Sequence, residues 1–155
     1  MVKNVFKKLG KKQKNNKGFS LVELIVVIAI MAVLVGVLAP QLIKYVEKSR
    51  EATDIQTCDN IATALKTYYA DEEVAASATA NTTTVTVTLG KTELGTAADT
   101  AVKDAGLTKA KIKGTKWTGD KITIVYNKAD GTITYTGDSP YYHSDKDQFK
   151  KGPKS

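Results

Sequence analysis

Hydrophobic and polar positions divide the chain into three stretches with different periods. Residues 1–18 are polar and rich in Lys, Asn and Gln. They are followed by a run, Leu24 to Ala39, without a single charge. Residues 19–39 are 21 residues, about 30 Å as a helix and enough to cross a bilayer. Glu23 stands at the mouth of this run, where a carboxylate is expensive and marks a functional position with a partner. Beyond Pro40 the pattern stays helical. Gln41 to Ala70 lacks Gly and Pro, and Ile55, Cys58, Ala62, Leu65 and Tyr69, widened by Ile61 and Tyr68, recur at helical spacing. One buried face is therefore expected there. Lys44, Glu47, Lys48, Arg50, Glu51 and Asp54 precede the stripe with mixed signs, and most are expected on a solvated face.

After Asp71-Glu72-Glu73 the helix is expected to end, and Ala75 to Thr84 to form a surface connection. Thr84 to Gly90 alternates as a half-buried strand does. Ala97 to Ala105, closed by Gly106, fits a short helix, and Lys109 to Lys113 a strand or extended loop. Ile122 to Tyr126 and Thr132 to Tyr135, joined by Asn127 to Gly131, predict a β-hairpin. Trp117 is the expected anchor between sheet and helix. The fold class that follows is α+β: one long N-terminal helix whose second half packs on an antiparallel sheet of three or four strands. The tail, Gly137 to Ser155, has no periodicity and is expected to be solvated.

Charge changes the picture once its distribution is considered. The chain holds 23 Lys+Arg against 16 Asp+Glu, formally +7. Lys3, Lys7, Lys8, Lys11, Lys12, Lys14 and Lys17 all precede Gly18, with no acid among them, so 23 − 7 = 16 basic residues balance 16 acidic ones in the remainder. A leader of this kind stays cytosolic and directs the apolar segment outward. Without it the chain is neutral, which removes the charge argument for a nucleic-acid partner. Cys58 is the sole cysteine, so an intramolecular disulfide is excluded, and its expected role is that of a small buried apolar residue.

No nucleophile–base motif or phosphate loop is present, and neither catalysis nor a cofactor is expected. Asp138, Asp145, Asp147 and His143 lack the spacing of a calcium loop, so no metal is expected either. Asn81-Thr82-Thr83 has the glycosylation spelling only. An ordinary secretory signal would be cut after Val37-Leu38-Ala39, but Pro40 follows directly, and this reading ranks second. Pro40 has no N–H for the carbonyl of Gly36, so a helix break is expected at Gly36 and Pro40.

Gly18-Phe19-Ser20-Leu21-Val22-Glu23 resembles the processing site of type IV prepilins and pseudopilins, nearest to the cysteine-poor pilins of Gram-positive bacteria. That resemblance implies a structural subunit and not an enzyme. A prepilin peptidase would cut after Gly18, where only a small residue is tolerated, and methylate the new amine on Phe19. Glu23 would serve ordered assembly by meeting the N-terminal amine of a neighbouring copy. Pro40 matches a proline at which the family's helix melts in filaments, whereas the usual upstream glycine is Ala32 here.

The implied organisation is a leader at 1–18, a transmembrane and filament-core helix half at 19–42, and a globular domain at 43–155. The implied partners are further copies of the chain, the peptidase and methylase, the membrane before assembly, and a pilus assembly platform in the inner membrane. The implied end point is an extracellular pilus, a kind of filament that serves adhesion, twitching motility or DNA uptake. A pseudopilin of a secretion or competence system and a secreted binding domain are the alternatives.

Overall fold

The computed structural model describes residues 18–70, 83–95 and 98–154. The expected leader, most of the surface connection after Ala75, the triplet Asp71-Glu72-Glu73 and the first residue of the expected 97–105 helix lie outside the described residues. The chain divides into two units, Met1–Gln41 and Leu42–Ser155.

In the first unit the described chain from Leu21 onward is helix. It belongs to α1 (Leu21–Tyr69), which continues into the second unit with Pro40 inside it. The large apolar side chains from Leu21 to Leu38 are 49–73% exposed. The helix runs without interruption through Gly36 and Pro40. The loss of helicity inferred there concerns the assembled filament.

The second unit forms where the apolar stripe of α1 meets a sheet. Strands β1 (Thr84–Leu89), β2 (Ile122–Asn127) and β3 (Ile133–Thr136) are antiparallel in the order β1-β2-β3. Val87 lies opposite Ile124, and Ile124 opposite Tyr135. Because side chains alternate across a strand, one face collects Val85, Val87, Leu89, Ile122, Ile124, Tyr126, Ile133 and Tyr135. All of these are buried with Cys58, Ile61, Ala62 and Leu65 of α1 in one core. Trp117 joins that core at 3% exposure, as its place before the hairpin suggests.

Two elements differ from the sequence expectation, the short helix and the tail. The short helix α2 (Thr100–Asp104) starts later than Ala97, because the Asp99 carboxylate accepts the Ala101 N–H at 3.0 Å and fixes the N-cap there. Its far end is as expected, with Gly106 at φ +71. Of the two alternatives for residues 109–113, strand or extended loop, the structure takes the loop. They lie beside the chain that follows β1, with Ile112 N–H donating to the Gly90 carbonyl at 2.9 Å.

The tail is not solvated coil. It folds as a second antiparallel pair, β4 (Tyr142–Asp145) and β5 (Gln148–Lys151). Tyr135 N–H donates to the Lys146 carbonyl at 2.8 Å, and Phe149 packs edge-on to Trp117 at 5.7 Å between ring centroids. Only Tyr142 of these two strands is fully buried, so no alternation announced them.

Candidate functional site

The start of α1 holds the residues singled out in the sequence. Ser20 is the N-cap: its carbonyl accepts the Leu24 N–H at 3.1 Å, and its hydroxyl accepts the Val22 N–H at 3.3 Å. Glu23 reaches back and accepts the Ser20 N–H on Oε2 at 2.8 Å. This is the Ser-x-x-Glu spacing of a capping box, here with the serine hydroxyl on the second helical N–H, and it satisfies donors that a helix start leaves free. The negative charge also sits at the positive end of the helix dipole. The Ser20–Glu23 spacing is itself the sequence signal for this role, which adds to the assembly role expected of Glu23. Phe19, just before the cap, is 91% exposed.

A Cβ placed on Gly18 or Gly36 would meet nothing within 4 Å. The described chain therefore has no steric need for glycine at position 18. α1 contains a stretch long and apolar enough to cross a membrane, and none of that stretch is buried.

A second constellation lies in the globular unit and corrects the expectation of a solvated charged face. Lys44, Lys48 and Arg50 are exposed, but Glu47, Glu51 and Asp54 are buried. Their spacings of four and three residues continue, toward the N-terminus, the face that carries Cys58, Ile61 and Leu65. Burial is tolerated because the acids accept main-chain donors from the loop before β2. Asp54 takes Lys113 N–H and Gly114 N–H at 2.7 Å each, and Trp117 Nε1–H at 2.9 Å. Glu47 accepts from Thr115 N–H and lies 3.7 Å from Arg50 Nη1. Glu51 accepts from the Ser139 hydroxyl. The acids thus hold a loop and the start of the C-terminal hairpin against α1, a task that falls to hydrogen bonds in a chain with one cysteine. Each such charge-assisted bond contributes about 1.5–3 kcal/mol.

Gly114 is where the loop comes nearest the helix. A Cβ there would stand 2.8 Å from Glu51 Cγ and 2.9 Å from both Asp54 Oδ2 and Trp117 Nε1. Burial, and then the like charges of Glu47 and Asp54, push the Glu51 carboxyl above its ordinary 4.5, against the opposing effect of the Ser139 hydrogen bond. Burial pushes the Cys58 thiol up, with Asp54 and Asp59 adding to it, so Cys58 is a neutral core residue. Burial and then Asp99, to which its hydroxyl donates at 3.0 Å, push Tyr69 up to about 12.

The remaining candidates do not converge. Asp145 pairs with Lys150, and His143 Nδ1 lies 2.9 Å from the Gly152 carbonyl. Among the described residues, no group of His, Cys, Asp and Glu is placed to hold a metal ion. The groove between α1 and α2, lined by Thr63, Thr67, Tyr68 and Leu107, has Asp104 as its one carboxylate among the described residues.

A long N-terminal helix followed by a small antiparallel sheet is an α+β, pilin-like architecture. Residues 13–39 match the family model of the prokaryotic N-terminal methylation motif, the class III leader of type IV pilins. The match spans the last lysines of the leader, Gly18, the capping box and the apolar run up to Ala39. Comparison with curated proteins and with solved structures gave no match. The motif and the apolar helix together support a precursor of the type IV pilin or pseudopilin kind.

Proposed function

We propose that the chain is the structural subunit of a type IV pilus, cut after Gly18, methylated on Phe19 and polymerised through the first half of α1 into an extracellular filament. The single observation that carries this is the methylation motif at 13–39, joined to an apolar helix half that is exposed along its length and has one carboxylate in its first turn. Before assembly the helix sits in the membrane. On assembly the same surface packs against other copies, and the basic leader, no longer needed for topology, has been removed. The subunit supplies the shape of the filament, with no catalytic step. Its partners are other copies, the peptidase that also methylates, and the membrane assembly platform.

The local chemistry gives the cut a purpose. Cleavage creates an ammonium on Phe19, next to the Ser20 N–H that Glu23 already accepts. An ammonium desolvated between helices costs several kcal/mol without a partner, and a carboxylate at the same depth on a neighbouring copy offsets that cost. Melting of the helix around Gly36 and Pro40 would give the packed filament local slack at the one carbonyl that proline leaves without a donor.

N-terminal sequencing of the mature chain tests processing, and electron microscopy of sheared surface material tests the polymer. Sequence beginning at methylated Phe19, in long fibres dominated by this chain, is the expected result. Sequence beginning at Pro40 would establish an ordinary secreted domain. Correct processing with only short or trace fibre would establish a pseudopilin.

A further inference from the structure

We propose that the outer edge of β1 is a self-pairing surface. The edges of two copies join antiparallel about Thr86 into one continuous sheet, and this contact holds assembled fibres side by side, a role that rests on the filament function proposed above. The ladder of the sheet shows which groups are on offer. Lys128 N–H donates to the Thr83 carbonyl at 2.8 Å, and Asn127 N–H to the Thr132 carbonyl at 2.9 Å. With Thr84 opposite Asn127 and Val85 opposite Tyr126, the main-chain groups of Val85, Val87 and Leu89 are turned to β2. Those of Thr84, Thr86 and Thr88 are turned outward, and their side chains are exposed. Among the described residues, no main-chain group bonds to that outer side until Gly90, whose carbonyl accepts Ile112 N–H at 2.9 Å. Two residues on, Gly114 gives its N–H to Asp54 instead, so the loop leaves the edge there. The far edge of the sheet is different: on β3, the Lys146 carbonyl takes Tyr135 N–H.

The chemistry of the edge says what covers it. Exposed strand edges are ordinarily blunted by charge, proline or a bulge. From Thr83 to Gly90 there is no charge and no proline, and the pairing of β1 with β2 is unbroken. The charged groups around the strand are engaged within the chain. Lys91 pairs with Asp120 at 2.8 Å and Glu93 with Lys111 at 3.5 Å, Asp99 accepts the Tyr69 hydroxyl, and Lys128 lies over the Tyr69 ring at 4.7 Å. A groove of about 470 Å³, lined by Thr86, Val87, Thr88 and Leu94 among others, leaves open space beside the strand. The matching partner is a neutral strand with outward groups at every second residue, and a second β1 is such a strand. About a two-fold at Thr86, Thr84 of one copy meets Thr88 of the other. Each residue pair then exchanges two main-chain bonds, and threonine faces threonine on the exposed side without like charges.

Symmetry fixes what is joined. Antiparallel strands of identical copies are related by a two-fold, a contact that closes on itself, whereas copies within one fibre follow each other head to tail. The pair therefore links copies in neighbouring fibres. So short a strand pair is weak between free subunits. Repeated along two fibres, the contacts act together and hold firmly.

Cysteine trapping in the mature full chain reads the register. Residues facing each other across the two-fold have Cα atoms about 5.5 Å apart, within disulfide reach. The two copies of Thr84 would be about 13 Å apart, four residues along the strand and beyond that reach. Under mild air oxidation with a copper catalyst, Thr86→Cys is expected to form a disulfide-linked dimer, both in fibres and in concentrated detergent micelles. Thr84→Cys and Thr88→Cys are expected to form none singly and one when mixed. Cys58 is buried and stays out of the reaction. Thr86→Lys alters only an exposed side chain, so fibre yield and melting temperature are expected to stay unchanged while bundles in electron micrographs disperse. Self-pairing is overturned by equal cross-linking of the three single variants, by the lack of a Thr86→Cys dimer, or by a cross-link to a foreign protein alone. Wild-type fibres that stay single, or Thr86→Lys fibres that still bundle, overturn the lateral contact. If no fibre forms at all, the filament reading fails, and the cross-links in micelles still decide the edge.

Discussion

Glu23 serves two purposes, and one substitution separates them. Its carboxylate closes the capping box on Ser20 N–H. Its charge is the proposed partner of an ammonium on a neighbouring copy. Glutamine preserves the first, since Gln also closes a capping box, and removes the second. Glu23→Gln is thus expected to leave helix content and cleavage after Gly18 unchanged while sheared fibre disappears. Normal fibre yield would refute charge pairing without touching the assignment of the motif. At the same scale, Gly114 allows the loop to reach the acids of α1. Gly114→Ala would force apart Glu51, Asp54 and Trp117 and is expected to cost about 3 kcal/mol, the upper part of the range for overpacking. Chemical denaturation of the globular unit measures it, and a change under about 0.5 kcal/mol would show that the loop yields freely.

At the scale of elements, the sheet and the stripe of α1 were legible because each follows one period. Strand β1 alternates over Thr84 to Leu89 and is buried in that alternation. The hairpin of β2 and β3 was announced by its turn residues, Asn127 to Gly131. β4 and β5 were hidden because a two-stranded ribbon held by main-chain bonds and a few anchors needs no apolar pattern. Trp117 ties these parts together: its ring meets Phe149 of β5, and its Nε1–H is one of the donors to Asp54. Trp117→Ala is expected to cost about 3–5 kcal/mol, through the cavity and through the acceptor it leaves unmet. Trp117→Phe is expected to recover the cavity part only. A melting temperature unchanged by Trp117→Ala would place the ring outside the core.

At the scale of the molecule, the division at Gln41 separates two solvents. The first unit exposes Leu21 to Leu38 and suits lipid or other helices, whereas the second has its own core. A truncated chain beginning at Lys44 is accordingly expected to be soluble, monomeric and cooperative in unfolding. Sedimentation and a thermal melt test this. Tyr45 and Val46 remain exposed in it, and self-association through them would move the boundary of the filament-facing surface past Val46.

The sequence by itself determined what depends on short range. It gave away the apolar span, the basic leader before it, the Gly18 to Glu23 motif, the three alternating strands and the helical stripe from Cys58 to Leu65. Periodicity and a spaced motif are local properties, and hydrophobic burial follows from them directly. Only the tertiary structure decided that Glu47, Glu51 and Asp54 face inward and that the tail is a hairpin. Whether a carboxylate can be buried depends on donors from residues about sixty to ninety positions away in the chain, here Lys113, Gly114, Thr115 and Ser139. On the helix alone those acids look like any solvated charges, because the groups that accept them into the core are supplied by the fold.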